Sequence, residues 1–310
     1  MAEEIGDAPS WHREVLVFGP YFADLIFRDL AEPVRPGAEV FAQGFSMQPG
    51  GAFTPAMALH RLGNDVVWAA DFGDDVFSQH VLGAARRERL DESGFCHHPL
   101  ALQSVTVALS SSGDRALISY QDPVRPQSLA ALLHKYRPRV VMLTELQYGA
   151  AVQAALRIAH QIGALVFMDC QDVAGSVDTP MVCETLAEVD VFAPNTDEAL
   201  RLTGTGTVDD ALEVLRGLVR TVVIKRGAAG ATAFHGATRY DLDGVKVDVV
   251  DTTGAGDCFN AGFVHAHLAG QQFRQCLTAA VACGAAAVTA PGSSAAPDEG
   301  ALKLWIARVP

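Results

Sequence analysis

Apolar residues along this chain fall into two alternating patterns. Short, mainly apolar runs at residues 14–18, 65–70, 139–143, 164–168, 189–192 and 221–224 are rich in β-branched and large apolar side chains and predict buried strands. Between them, residues 54–62, 75–89, 150–161, 196–202 and 208–216 carry apolar side chains every three or four positions, the spacing of helices with one buried face. Strands that are apolar on both faces and joined by helices predict a mostly parallel sheet with helices on either side, an α/β doubly wound arrangement. Two segments break this rhythm. Residues 102–120 alternate polar and apolar around Ser112-Gly113-Asp114, the pattern of a hairpin with one wet face. Residues 24–45 lack helical spacing and contain Pro33, Pro36 and Gly37. Together these segments, taken as about 21–45 and 100–122, predict a small separate β-sheet inserted into one domain that spans 1–310.

Composition and charge narrow the partners. The chain has 310 residues, 49% of them hydrophobic, which is ample for a large core. Its 23 basic and 36 acidic residues give a net charge of −13, spread along the chain as on an acidic solvated surface. Without a block of Lys and Arg, neither nucleic acid nor an anionic membrane is expected as a partner. Residues 1–7 are acidic where a signal peptide is basic, and are expected to form a loose tail. The Ala-rich stretch 278–290 is too short to cross a bilayer and suits close helix packing. Six cysteines without a Cys-x-x-Cys pair fit a reduced cytoplasmic protein. Cys96-His97-His98 has no second cluster to match it and reads as loop, not as a metal site.

The candidate chemistry concentrates at Asp251-Thr252-Thr253-Gly254-Ala255-Gly256-Asp257-Cys258-Phe259, which runs into an apolar helix expected to begin near Gly256. Gly254 and Gly256 allow backbone N–H groups to converge on an anion at the helix start. Asp257 in the same turn is out of place in a purely anion-binding site unless it accepts a proton from an attacking hydroxyl. On the residues alone, a first-turn acid that complements the helix dipole explains Asp257 equally well. A dinucleotide fingerprint does not fit, because its third glycine position holds Phe259, and a Walker loop does not fit, because no Gly-Lys-Ser/Thr follows.

This stretch matches the Asp-Thr-x-Gly-Ala-Gly-Asp-x-Phe signature and resembles the PfkB/ribokinase family of carbohydrate kinases. The resemblance implies a ribokinase-like fold whose small sheet is a lid over the sugar site, and implies that the lid makes a homodimer. It implies transfer of the γ-phosphoryl of ATP, with Mg²⁺, to a hydroxyl of a small sugar or sugar-like substrate. A nucleoside kinase of the same fold and a non-catalytic sugar-sensing relative are the alternatives. Gly254, Ala255 and Gly256 would hold the transferring group and Asp257 would be the base. Asp24, Gly50 and Gly51 would bind substrate together with Asp257, the two glycines also being readable as a flexible turn before a helix. Arg115 on the expected hairpin reads as a surface residue. Asn195 and Glu198 form a capping box on sequence grounds and, by resemblance, influence Mg²⁺ and phosphate. Lys225, Gly227 and Gly230 would line the nucleotide. Asp251 and carbonyls of Thr253, Ala287 and Gly292 would hold K⁺. Two departures stand out. Pro55 replaces an Asn that contacts sugar in many members, which argues against ribose-like recognition. Asp169-Cys170-Gln171-Asp172 replaces a common Asp-Pro-Asn version.

Overall fold

The apolar runs become the central strands of a sheet in the computed structural model, which describes residues 11–111, 114–171 and 175–310. In chain order the first half contains β1 (Arg13–Phe18), β2 (Tyr21–Leu30), β3 (Ala42–Gly51), α1 (Phe53–Arg61), β4 (Val66–Phe72), α2 (Val76–Arg87), β5 (Phe95–His97), β6 (Ser104–Ser111), β7 (Asp114–Gln121) and α3 (Leu129–Tyr136). The second half contains β8 (Pro138–Leu143), α4 (Ala150–Gln161), β9 (Leu165–Met168), α5 (Val182–Leu186), β10 (Val191–Phe192), α6 (Thr196–Thr203), α7 (Val208–Arg216), β11 (Thr221–Lys225), β12 (Ala231–His235), β13 (Thr238–Leu242), α8 (Ala255–Leu268), α9 (Phe273–Ala287) and α10 (Glu299–Ile306). The acidic tail, Ser112 and Gly113 of the expected hairpin, and Asp172 lie outside the described residues, and so does the side chain of Arg115.

Nine strands form the main sheet in the order β13-β12-β11-β10-β9-β8-β1-β4-β5. All neighbours from β11 to β5 are parallel, and β12 and β13 add an antiparallel edge. Because successive side chains of a strand point to opposite faces, a continuous apolar run must be covered twice. In β1, Val15 and Val17 join the core under α1, α2, α8 and α9, whereas Leu16 and Phe18 join the core under α3, α4, α6 and α7. The strand order reverses at β1, whose neighbours β4 and β8 lead the chain in opposite directions. Ligand crevices of doubly wound sheets open at such a point, beyond the carboxyl ends of the strands.

The second sheet has four strands in the order β3-β2-β6-β7 and confirms the expected inserted sheet. Its bounds differ from expectation. The first segment extends through Gly51, so Gly50 and Gly51 end strand β3 and do not form a free turn before α1. Pro49 is tolerated within β3 because β3 is an edge strand, with a partner on one side only. The Ala-rich stretch forms α9, packed on α8 where a side chain at Gly262 would collide with Ala279 O, its Cβ lying 2.6 Å from that atom. Among the described residues no helix is long and apolar enough to cross a membrane.

Candidate active site

The signature enters α8 through a tight turn. Gly254 is the N-cap residue with φ 74°, a left-handed conformation, and a Cβ there would stand 2.9 Å from Thr54 Cγ2 of α1. No side chain caps α8. Its first-turn N–H groups have no carbonyl one turn earlier, and apart from Ala255 N–H, which donates to Thr252 O, they suit an anion. Gly256 lies over Lys225, whose Nζ would be 3.3 Å from a Cβ at that position. Asp257 is the third residue of this helix.

Alternation in the strands brings the charges to this turn. Asp169 follows Phe167, and Lys225 follows Val223, two residues on in each strand, so both side chains point to the α8 face of the sheet. Lys225 Nζ donates to both carboxylate oxygens of Asp169 at 2.8 Å, with the two side chains 11% and 6% exposed. Asn260, one turn after Asp257 on α8, also donates to Asp169. Burial by itself would lower the Lys225 ammonium, but Asp169 and Glu198 outweigh it and the group is raised. For Asp257, burial first and then Asp169 push the carboxyl up to about 8, Lys225 opposes them, and Asp24 and Glu198 add to the rise. A carboxyl held near neutrality is suited to exchanging a proton with a substrate hydroxyl.

The remaining residues arrange around this centre. Asp24 belongs to β2 of the small sheet, and a Cβ on Gly50 of β3 would lie 2.2 Å from its Oδ2, so Gly50 makes room for the carboxylate. Gly51 has φ 60° and approaches Pro20 O too closely for a side chain. Pro55 is buried in the first turn of α1, next to Thr54. Asn195 and Glu198 form the expected capping box at the start of α6, and both Glu198 oxygens accept from Asn195. Burial first, then Asp169, raises the Glu198 carboxyl. A bridge pairs Asn195 with Lys225, which puts the capping box beside the ion pair. Gly227 and Gly230 have φ 55° and 85°, and Gly230 allows the Leu242 carbonyl to pack against the turn. A shallow groove of about 560 Å³ beside that turn is lined by Arg226, Ala228, Asp243, Lys246 and Arg308 among others.

Asp251 acts as a brace. Its Oδ1 accepts from Thr253 N and its Oδ2 from Gly292 N, both at 2.9 Å, tying the signature to the segment after α9. Ala287 ends α9 in the core, and the next carbonyl, of Val288, accepts from Val250 N and Asp251 N.

Sequence reasoning left Asp169 without a role and passed over Asn260, Gln48 and Thr54. Their signals were weak but present. Asp169 ends an apolar run at the carboxyl edge of the sheet, and Asn260 stands one helical turn beyond Asp257. Gln48 is in register with Asp24 and borders Gly292, a contact that pairing across β2 and β3 creates. A larger cavity of about 820 Å³, lined by Gly19, Asp71, Gln121, Arg125 and Glu145 among others, contains none of the residues expected at the site. It lies against α3 and α4, whereas the Asp257 turn belongs to α8.

Comparison with known proteins shows the family and the fold. A family model described as pfkB family carbohydrate kinase matches residues 12–299. The chain is 26% identical over 306 residues to "Probable fructokinase-2" of Arabidopsis thaliana, covering 90% of this chain and 91% of the relative. It is 27% identical over 274 residues to the ribokinase of Haemophilus influenzae, covering 84% and 87%. The structure of Arabidopsis thaliana ribokinase complexed with ribose and ATP superposes with a TM-score of 0.79 at 21% identity, over 95% of this chain and 98% of that one. The turn at Asp257, the small sheet that carries Asp24 and the match over nearly the whole length lead to one assignment: the chain belongs to the pfkB family of carbohydrate kinases.

Proposed function

We propose that this protein transfers the γ-phosphoryl of ATP to a hydroxyl of a small sugar, with Asp257 as the base. The observation that carries the reading is the convergence of a raised carboxyl with an uncapped helix start, under a sheet that brings a second carboxylate, Asp24. The turn 254–257 directs N–H groups at the transferring phosphoryl, and Asp257 takes the hydroxyl proton. Asp24 and Gly50 orient the sugar, since a carboxylate accepts hydrogen bonds from two hydroxyls. Lys225 keeps the Asp169 charge paired and sits beneath Gly256, next to the nucleotide. The nucleotide runs along Asn195, Gly227 and Gly230, beside the basic groove at Arg226, Lys246 and Arg308. Mg²⁺ would be held by the nucleotide phosphates beside Glu198 and would supply charge neutralisation there. Both Asp251 oxygens already accept backbone N–H groups, so a K⁺ bound here would lean on carbonyls of Thr253, Ala287 and Gly292 with Asp251 as their organiser.

We take the protein to work in a reducing cytoplasm, consistent with six unpaired cysteines, and as a homodimer joined through the lid. The test of function is ATP consumption across a panel of ketohexoses, aldopentoses, sugar acids and nucleosides. A sugar or sugar acid is expected to lead the panel. Pro55, with neither a backbone N–H nor a polar side chain to offer, places ribose at least about tenfold below the leader, the equivalent of roughly one net hydrogen bond. Ribose within tenfold of the best substrate refutes the Pro55 argument, and no phosphorylation of any panel member refutes the kinase reading.

A further inference from the structure

Away from Asp257, on the other face of the main sheet, three side chains of different chemistry meet. Asp71 of β4 and Cys96 of β5 are register partners in a parallel pair, so their side chains leave the sheet on one face. That face is the one covered by α3 and α4, because Val67 and Ala69, four and two residues before Asp71, belong to that core. His98 follows Cys96 by two residues and returns to the same face, while His97 between them points the other way and stacks on Phe72. The expected loop at 96–98 is thus largely strand, anchored further by His98 N–H donating to Phe72 O at 2.8 Å. Strand pairing supplies the second cluster that the linear sequence lacked.

We propose that Asp71, Cys96 and His98 form a binding site for a divalent transition-metal ion of the zinc type. One donor atom from each of the three lies within 4.8 Å of the others, the one such group of His, Cys, Asp and Glu side chains among the described residues. His98 Nε2 and Asp71 Oδ1 are 2.7 Å apart. Tetrahedral coordination with bonds of about 2.0–2.1 Å would need the N···O separation to open to roughly 3.3 Å, a side-chain adjustment of about half an ångström. The donor set of one thiolate, one imidazole and one carboxylate suits zinc and its neighbours. It does not suit Mg²⁺ or Ca²⁺, which take oxygen ligands. All three residues are partly exposed, so an ion has a route in, and Asp71 borders the cavity of about 820 Å³ from which water would complete the coordination. Binding would clamp β5, a three-residue edge strand, to β4. The site is separate from the phosphoryl-transfer centre and does not depend on the identity of the sugar.

Untagged protein, stripped with chelator and dialysed against micromolar Zn²⁺, is expected to retain one zinc per chain. Cys96→Ser and His98→Ala are each expected to weaken retention at least tenfold, with kinase activity on the best sugar unchanged. Co²⁺ in place of Zn²⁺ should give a thiolate-to-cobalt charge-transfer band in the near ultraviolet, absent from Cys96→Ser. A readout on the wild-type chain guards against misfolded variants: Zn²⁺ should slow alkylation of Cys96, followed on its own peptide by mass spectrometry. Failure to retain zinc overturns the proposal, and so does retention with Cys96 alkylated at the metal-free rate.

Discussion

Among single residues, Asp257 decides between a catalytic and a purely structural role for the α8 turn. Asn would be an excellent replacement if the residue only complemented the start of α8, yet Asn cannot accept a proton. Asp257→Asn is therefore expected to lower kcat by roughly 10² to 10⁴ with ATP affinity unchanged or tighter, measured by single-turnover kinetics at saturating substrate. A variant within threefold of wild type would remove Asp257 from the chemistry. The raised carboxyl also fixes the sign of two pH effects. As a base it must be ionised, so log kcat/KM should climb with unit slope below an apparent pKa of about 8 and level off above it. For stability the folded state holds the proton more tightly than the unfolded chain does, so this group stabilises fully below the ordinary Asp range. That contribution is lost as pH rises toward 8. Above pH 8, Asp257→Asn should melt higher than wild type, and equal melting temperatures across the range would show that the carboxyl is not raised.

The ends of β9 and β11 and the first turn of α8 form the next unit. Lys225 and Asp169 are a buried pair whose separate removal leaves a charge without its partner. Lys225→Met should destabilise by about 3–5 kcal/mol in urea unfolding, and Lys225→Met combined with Asp169→Leu should recover much of that loss. Lys225 also opposes the rise of Asp257, so the single variant should shift the acid limb of the pH-rate profile to higher pH. A purely structural lysine would lower stability and leave that limb in place. The residues of this unit were individually visible in the sequence. Their partnership was not, because β9 and β11 are separated in the chain by β10 and three helices, and only the parallel sheet brings their carboxyl ends to the two sides of the short strand β10.

At the scale of the whole molecule, the small sheet exposes apolar surface that a lone chain would leave in water. Phe45, Leu117, Ile118 and Tyr120 are 55–63% exposed on the small sheet, whose edges β3 and β7 are open. Light scattering at micromolar concentration should give twice the 32.8 kDa chain mass, and Ile118→Glu should shift the protein toward monomer. A monomer mass for the wild type would refute the dimer. The sequence by itself determined the layered α/β plan, because apolar runs buried on both faces and helices of one buried face admit few other arrangements. It also determined the inserted sheet and the Asp257 turn, since alternation, glycine spacing and an acid at a helix start are local facts. It did not determine that β3 continues to Gly51, where pairing with β2 overrides the turn preference of two glycines. Nor did it determine that Asp169 pairs with Lys225 or that Asp71 meets Cys96 and His98. Those contacts depend on which strands lie next to one another, and strand order is settled by packing across the whole sheet, which no stretch of sequence encodes locally.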